Sequence, residues 1–416
     1  MIELATAPPP AKPPPARPGM SCDVQSGAIM VGAIKEVEKA RRRSPTGFGV
    51  PGAAIMAPVI GKSNLILLHG DRHRAMRKLQ APPFHGSRMR AYGQLIRDIT
   101  HEQAQSWTPG QAFCMHRCAQ EISLQVILQA VLGLSAPARR REFNSGLLAL
   151  MEALKPSFLF MPALRRELLG LSAWSRFVRS RQRVIDLFTQ ELAERRAAPR
   201  PRTDIMSLLM EARYEDGTPL SDEELFEQMA NLLAAGHETT ASALAWACYF
   251  IHRDPAVKER LLQELRTLPT FDPEATASLP YLDAVCSEAL RLNPVAPLIG
   301  RELLQGLTLQ GYELPAKTPI GISILLAHRR PEVFPEPERF VPERFLDRTY
   351  SPFEYLPFGG GSRRCIGAAF ATYELKIALA TILRHPLQLL DPGPSRAEMR
   401  NTTVGPRGGV QMIRTA

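Results

Sequence analysis

The stretch from Asp222 to about Arg253 constrains the fold more than any other part of this chain. Ser221 followed by Glu224 forms a capping box, which satisfies the free N–H groups of a first helical turn, and Asp254-Pro255 ends the run. At ~1.5 Å per residue such a helix is roughly 48 Å long, enough to cross a whole domain. Its middle, Met229 to Ala235, is almost wholly apolar, so the helix is expected to be buried rather than amphipathic. A second helix is expected from about Leu279 to Leu292, stopped by Asn293-Pro294, and a third over Ile366 to His385, stopped by Pro386. Strand-like runs are short: Leu307 to Leu314, Pro319 to Leu325, and Val410 to Ile413. The segment Ala327 to Asp347, rich in Pro, Glu and Arg, reads as an irregular connection, and there are no internal repeats. The expected fold class is mainly α, one large helical domain over residues 21–416 with a minor β portion, preceded by a proline-rich disordered tail over residues 1–20.

Composition supports a soluble enzyme. The chain is 45% hydrophobic and 22% charged, ordinary for a globular protein with a sizeable core. No segment reaches the ~18 to 20 consecutive apolar residues that span a bilayer. The tail lacks the apolar core of a signal peptide, so a cytoplasmic protein without a stable membrane anchor, acting as a monomer, is expected. Six cysteines without a paired framework suit a reducing compartment. Cys114 and Cys118, with His116 between them, lack two further ligands for zinc and read as core residues. The net charge of +10 is concentrated in Arg41-Arg42-Arg43, Arg139-Arg140-Arg141 and the stretch Arg72 to Arg90. Without aromatic interleaving or a nucleic-acid motif, these read as solvated faces and a docking surface for an acidic protein, not for nucleic acid.

Cys365 carries the chemistry. It ends the run Phe358-Gly359-Gly360-Gly361-Ser362-Arg363-Arg364-Cys365-Ile366-Gly367, just before an expected helix. A sulfur there faces the positive end of a helix dipole and free N–H groups, which favour thiolate and suit a metal ligand. The glycines allow a tight turn and close approach to a flat cofactor. The pattern F-x-x-G-x-R-x-C-x-G resembles the haem-binding loop of the cytochrome P-450 family at every signature position. That resemblance implies the family's fold, helical with small β-sheets at one side, and heme b with Cys365 as its iron ligand, flanked by Phe358, Gly359 and Gly367.

Other runs resemble the same family. Ala235-Gly236-His237-Glu238-Thr239-Thr240 interrupts the long helix's local preferences, since glycine there costs ~1 kcal/mol relative to alanine. It resembles the oxygen-activation motif, which implies that Thr239 hydrogen-bonds the activated oxygen, Glu238 helps relay protons, and Gly236 leaves room for O2. Glu288 and Arg291, spaced i, i+3 on one helical face, resemble the E-x-x-R pair, with Arg344 of Phe340-Val341-Pro342-Glu343-Arg344-Phe345 completing a buried structural network. His73 and Arg77, spaced i, i+4, resemble the propionate clamp, and Arg301 and Arg363 match two further propionate-binding positions. His73 lies closer to the start than is usual for the family, so the short helix and first hairpin that open the fold are expected to be missing or replaced by the tail.

The resemblance implies a monooxygenase of the soluble bacterial type, inserting one atom of O2 into a C–H bond or double bond. Electrons come from a separate ferredoxin and ferredoxin reductase, and the basic residues Arg72, Arg74, Lys78, Arg364 and Lys376 are the expected ferredoxin face. The expected pocket is apolar: Pro51 to Ile60, Phe158 to Met161, Leu232, Ala235, Thr239, Val295, Pro297, Leu298, Ile299, Thr403 and Val404. It suits a lipophilic small molecule. His69-Gly70-Asp71-Arg72-His73 and Phe353-Glu354-Tyr355-Leu356-Pro357 resemble a bacterial subgroup linked with fatty acids and terpenoids. The rival readings are a haem-thiolate isomerase or dehydratase, and a degenerate haem binder without turnover.

Overall fold

The computed structural model of the protein describes residues 20–23, 28–31, 47–84, 88–167, 169–268, 270–309, 312–400 and 403–415. The tail expected over residues 1–20 lies outside the described residues except for Met20, and Arg41-Arg42-Arg43 lies outside them entirely. Among the described residues the architecture is mainly helical, with fifteen α-helices and twelve short strands.

The longest helix is Asp222–Arg253, and both halves of its Ser221/Glu224 capping box are formed. It packs along Met115–Ala130, against Ala368–Ile382 and against Pro280–Leu292. Its C-terminal half is buried continuously from Thr240 to Tyr249, with Trp246 only 1% exposed. The core running through these helices draws on residues from Phe84 to Met412, and each fully buried Leu, Ile or Phe in it contributes ~1.5–3 kcal/mol. The expectation of burial fails at mid-helix: Ala234 and Ala235 are exposed. Small apolar side chains satisfy a hydrophobic pattern whether or not anything covers them, so the sequence does not distinguish a buried alanine from one that lines a site.

The strands form separate small sheets. Five of them, β1 (Met20–Asp23), β2 (Ala28–Val31), β3 (Phe48–Gly49), β5 (Leu298–Leu303) and β8 (Pro319–Ser323), lie in the order β1-β2-β8-β5-β3. The opening hairpin expected to be missing is therefore present: Met20 pairs with Val31, and β2 runs parallel to β8. Strands of four residues beside a proline-rich tail leave too short an alternation to read. The run Leu307 to Leu314 is a hairpin of β6 (Leu307–Leu309) and β7 (Tyr312–Leu314), not one strand. β4 (Ala112–Cys114), β9 (Leu387–Leu389) and β12 (Gln411–Arg414) make a three-stranded sheet. The hairpin β10 (Ala397–Arg400) and β11 (Thr403–Pro406) lies against the long helix.

Candidate active site

The cysteine loop is built by backbone geometry. Gly359 and Gly361 hold φ of 67° and 72°, the left-handed region that side chains disfavour. The amide of Cys365 donates to the carbonyl of Phe358 at 2.9 Å, closing the loop before the helix Ala368–Ile382. A Cβ on Gly359 would lie 3.0 Å from Ile299 Cδ1, so this glycine lets the loop approach β5. Cys365 is exposed, yet enough protein surrounds its sulfur that desolvation pushes the thiol up. The Gly367 N–H and the charges of Arg77 and Arg364 pull the other way and are outweighed. The turn's N–H donor and cations thus act toward thiolate as expected, against burial, and a bound metal ion would add to them.

The propionate-clamp residues converge. His73 is buried on the helix Gly70–Gln80, and burial lowers its imidazole to about 4, helped by the charges of Arg363, Arg77 and Arg301. Three guanidinium groups therefore stand around a neutral ring. No carboxylate offsets Arg77 or Arg363 among the described residues: desolvation lowers both, and their nearby charges are each other, Arg364 and Cys365. This cluster of cations lies beside an exposed cysteine. Arg363 is also a structural tie. Its Nη1 donates to the carbonyl of Ile66 at 2.8 Å, and its Nη2 donates to Leu68 O and contacts His69 Nδ1. The cysteine loop is thereby held to the segment leading into the His73 helix.

On the long helix, Thr239 Oγ1 donates back to the carbonyl of Ala235 at 2.7 Å. Glu238 lies against the helix Met115–Ala130: Gln120 Nε2 donates to Oε2 at 2.7 Å, and His116 Nε2 is 3.2 Å from Oε1. Burial acts to raise this carboxyl, but the hydrogen bonds from His116 and Gln120 outweigh it and hold the group below its usual range. Gly236 also meets a packing requirement: a Cβ there would fall 2.4 Å from Ile127 Cδ1 of the helix Met115–Ala130. His116 and Gln120 were not anticipated as site residues; only the polar character of their shared face, spaced i, i+4, hinted at them.

The structural network assembles around a core arginine. Glu288 and Arg291 are fully buried and paired at 2.6 and 2.9 Å, and Arg344 Nε donates to Glu288 Oε1 at 3.0 Å. Arg291 also donates to the carbonyls of His328, Pro337 and Arg339, pinning the irregular connection. The pocket residues assemble only in part. Val404 N donates to Val295 O, Ile324 N to Pro297 O, and a Cβ on Gly405 would meet Ser242 Oγ of the long helix at 3.1 Å. Leu298 and Ala235 are exposed, Ile299 and Val404 half-buried, Leu232 and Thr403 buried. Phe158 is buried, packed among Trp174, Phe177 and Val59, the last of these also in the expected pocket stretch. Lys376 leaves the expected ferredoxin face, since it is mostly buried and donates to Ala277 O and Asp283.

The cytochrome P450 family description matches residues 29–403. A Mycobacterium tuberculosis protein named cytochrome P450 135B1 is 35% identical over 370 residues, covering 86% of this chain and 76% of that protein. One from Mycobacterium bovis named cytochrome P450 138 is 32% identical over 368 residues, covering 86% and 80%. Among solved structures, the retinoic acid-bound cyanobacterial CYP120A1 superposes with a TM-score of 0.80 at 25% identity, covering 93% of this chain and 88% of that one.

Proposed function

The chain belongs to the cytochrome P450 family and is a haem b-dependent monooxygenase; from that premise we propose which residues serve the reaction and what they act upon. Cys365 ligates the iron. Arg77, Arg301 and Arg363, with His73, hold the propionates, and the observation that carries this is the convergence of three cations around a neutral imidazole. Guanidinium groups bind carboxylates through paired donors, so two propionates complete that cluster. Phe358, Gly359 and Gly367 would shape the loop that holds the haem. When bound, haem supplies the reductive activation of O2 and its insertion into substrate. Thr239 offers a hydroxyl beside the exposed Ala235, and Glu238 holds and passes protons behind it. Residues 21–416 act as one catalytic domain, a reading supported by a core cluster that draws on residues from Phe84 to Met412.

The substrate is lipophilic, a fatty acid or terpenoid type of molecule, held by Leu232, Ala235, Val295, Pro297, Leu298, Ile299, Thr403 and Val404. The retinoic acid bound to CYP120A1, an apolar chain ending in a carboxylate, is of that kind. Electrons reach the haem from an acidic ferredoxin and its reductase, docking around the exposed Arg72 and Arg364 with Arg74 and Lys78 beside them; Arg74 and Lys78 already pair with Asp71 and Glu215 at the surface. The free state of Cys114, Cys118, Cys248, Cys286 and Cys365 suits a cytoplasmic site. No described helix is long and apolar enough to cross a membrane.

The test is spectroscopic. The reduced, carbon monoxide-treated protein is expected to show the red-shifted Soret band of thiolate-ligated haem, and Cys365→Ala to lose it. A variant that keeps the band would overturn the assignment. Thr239→Ala is expected to keep the band while coupled product falls at least about tenfold and peroxide rises. Unchanged coupling would remove Thr239 from the proposed site. Product formed without external electrons would instead indicate an isomerase or dehydratase.

A further inference from the structure

Two polar residues stand between Phe226 and Met229 of the long helix, and both are buried: Glu227 is 3% exposed and Gln228 0%. Their partners lie in residues 63–68, the segment that precedes the helix Gly70–Gln80 carrying His73 and Arg77. The Ser63 amide donates to Glu227 Oε2 at 2.6 Å, and Gln228 Nε2 donates to the Ser63 carbonyl at 2.5 Å. Gln228 Oε1 accepts two hydrogen bonds, from the Leu65 amide at 3.2 Å and from Gln80 Nε2 at 2.7 Å. Gln80 is the last residue of the His73 helix and is fully buried. One side-chain amide thus holds both the approach to that helix and its far end.

The same segment meets the cysteine loop through its carbonyls. Arg363 donates to the carbonyls of Ile66, at 2.8 Å, and of Leu68, and its Nη1 lies 3.5 Å from Leu65 O. Leu65 therefore connects the two sides directly: Gln228 holds its N–H, and Arg363 meets its carbonyl. Room for this contact is made at Gly61, with φ of 98°, where a Cβ would fall 2.2 Å from Glu227 Cδ. Asn64 braces the turn between: its Oδ1 accepts the Ile66 amide at 3.0 Å, and its carbonyl accepts the amides of Leu67 and Leu68. Buried amides cost stability unless every polar atom is bonded, and Gln80 Oε1 has no partner among the described residues. Apolar side chains of the same size would fill this space without that penalty, so geometry explains the network better than stability does.

We propose that Gln228, with Glu227, is a positioning residue of the haem site: it keeps the Arg363 tie and the His73 helix in register with the helix that carries Thr239. The proposal rests on the assignment of His73, Arg77 and Arg363 to the propionates given above. Gln228 precedes Thr239 by roughly 16 Å along the helix axis, at ~1.5 Å per residue, so it acts through the groups it holds. Guanidinium groups grip carboxylates through donors at fixed spacing, and that spacing is only as firm as the shell behind it. Arg77 and Arg363 come from separate elements, and Gln228 is bonded to the helix of the first and to the segment that ties the second. Because Gln228 carries no charge, any effect it has on the haem comes from where it leaves these cations.

The test uses Gln228→Met, which keeps an unbranched side chain of similar size and removes all three hydrogen bonds of the amide. The haem-loaded variant is expected to keep the thiolate band with carbon monoxide and to release haem to excess apomyoglobin at least about tenfold faster than wild type. Its reduction potential is expected to fall, because displaced cations no longer offset the electron gained on reduction. Gln80→Met, which cuts only the bond to the His73 helix, is expected to show part of the effect, and the double variant less than the product of the two. Release and potential equal to wild type in Gln228→Met, whatever stability the apoprotein loses, would sink the proposal, since a purely structural amide behaves that way. Should Gln228→Met not fold, wild-type release and potential in Gln80→Met overturn it. Arg77→Gln separates this outcome from the underlying reading. If that variant releases haem no faster than wild type, the propionate assignment falls and this proposal with it. Fast release from Arg77→Gln beside wild-type behaviour of Gln228→Met overturns the positioning role alone.

Discussion

At the scale of single residues, Gly236 shows how a motif match and a packing requirement can share one position. The helix interior disfavours glycine by ~1 kcal/mol, so something must repay its presence. The structure supplies the reason in Ile127, whose Cδ1 would sit 2.4 Å from an alanine Cβ. The obstructing atom is the end of a flexible side chain, which places the cost of Gly236→Ala toward the lower part of the ~1–3 kcal/mol typical of overpacking. Removing that methyl should reverse the sign. In an Ile127→Val background Gly236→Ala is expected to be neutral or stabilising by up to ~1 kcal/mol, whereas in the wild-type background it destabilises. Denaturant titration of the four proteins of this cycle reads the coupling, and equal effects in both backgrounds would show that Ile127 is not the obstacle. Cys365 makes a related point: its neighbouring charges and N–H donor are legible in sequence, but the burial that outweighs them is not.

At the scale of elements, legibility followed locality. The long helix, its capping box and the Pro280–Leu292 helix were readable because caps, prolines and apolar spacing act within a few residues. β5 was missed because Gly300, Arg301 and Glu302 interrupt its apolar run, and its pairing with β8 depends on residues far along the chain. The first hairpin was missed because strands of four residues each carry too short an alternation to read. The Glu288–Arg291 pair was legible, but its reach was not: the Arg291 guanidinium donates to His328 O, His328 Nε2 accepts the Leu356 amide, and Leu356 O accepts the Gly359 amide of the cysteine loop. Arg291→Ala would leave the buried Glu288 carboxylate with Arg344 and the Val341 amide, and it is expected to cost ~3–5 kcal/mol and to weaken haem retention. Arg291→Lys should rescue little, since one ammonium cannot replace a fork that serves two carboxylate oxygens and three carbonyls. Thermal unfolding and haem content after gel filtration check both, and a lysine variant of wild-type stability would contradict the geometric argument.

At the scale of the whole molecule, buried titratable groups set how stability varies with pH. His252 and His328 are held by burial at about 4 and about 3, well below the ordinary 6.5. The unfolded chain takes up protons at these positions that the folded protein refuses, so their stabilisation is present above pH 6.5 and is lost as pH falls toward 3–4. Glu374 has the opposite sign. Its carboxyl is raised from 4.5 to about 8 by burial, so its contribution is intact below pH 4.5 and is lost as pH rises through 8. Each unmatched proton is worth up to about 1.4 kcal/mol per pH unit. Between pH 4.5 and 6.5 these histidines, joined by His73, which burial likewise holds at about 4, outweigh Glu374, and stability climbs; above 6.5 Glu374 acts against it, and stability declines. The expected curve is a dome with its maximum near pH 6.5. Glu374→Gln should leave the acid limb sloping and flatten the decline between pH 6.5 and 8, making the variant more stable than wild type at pH 8. Urea titrations at steps of pH measure both limbs, and a variant whose alkaline limb falls as steeply as that of wild type would show that Glu374 is ionised in the folded protein.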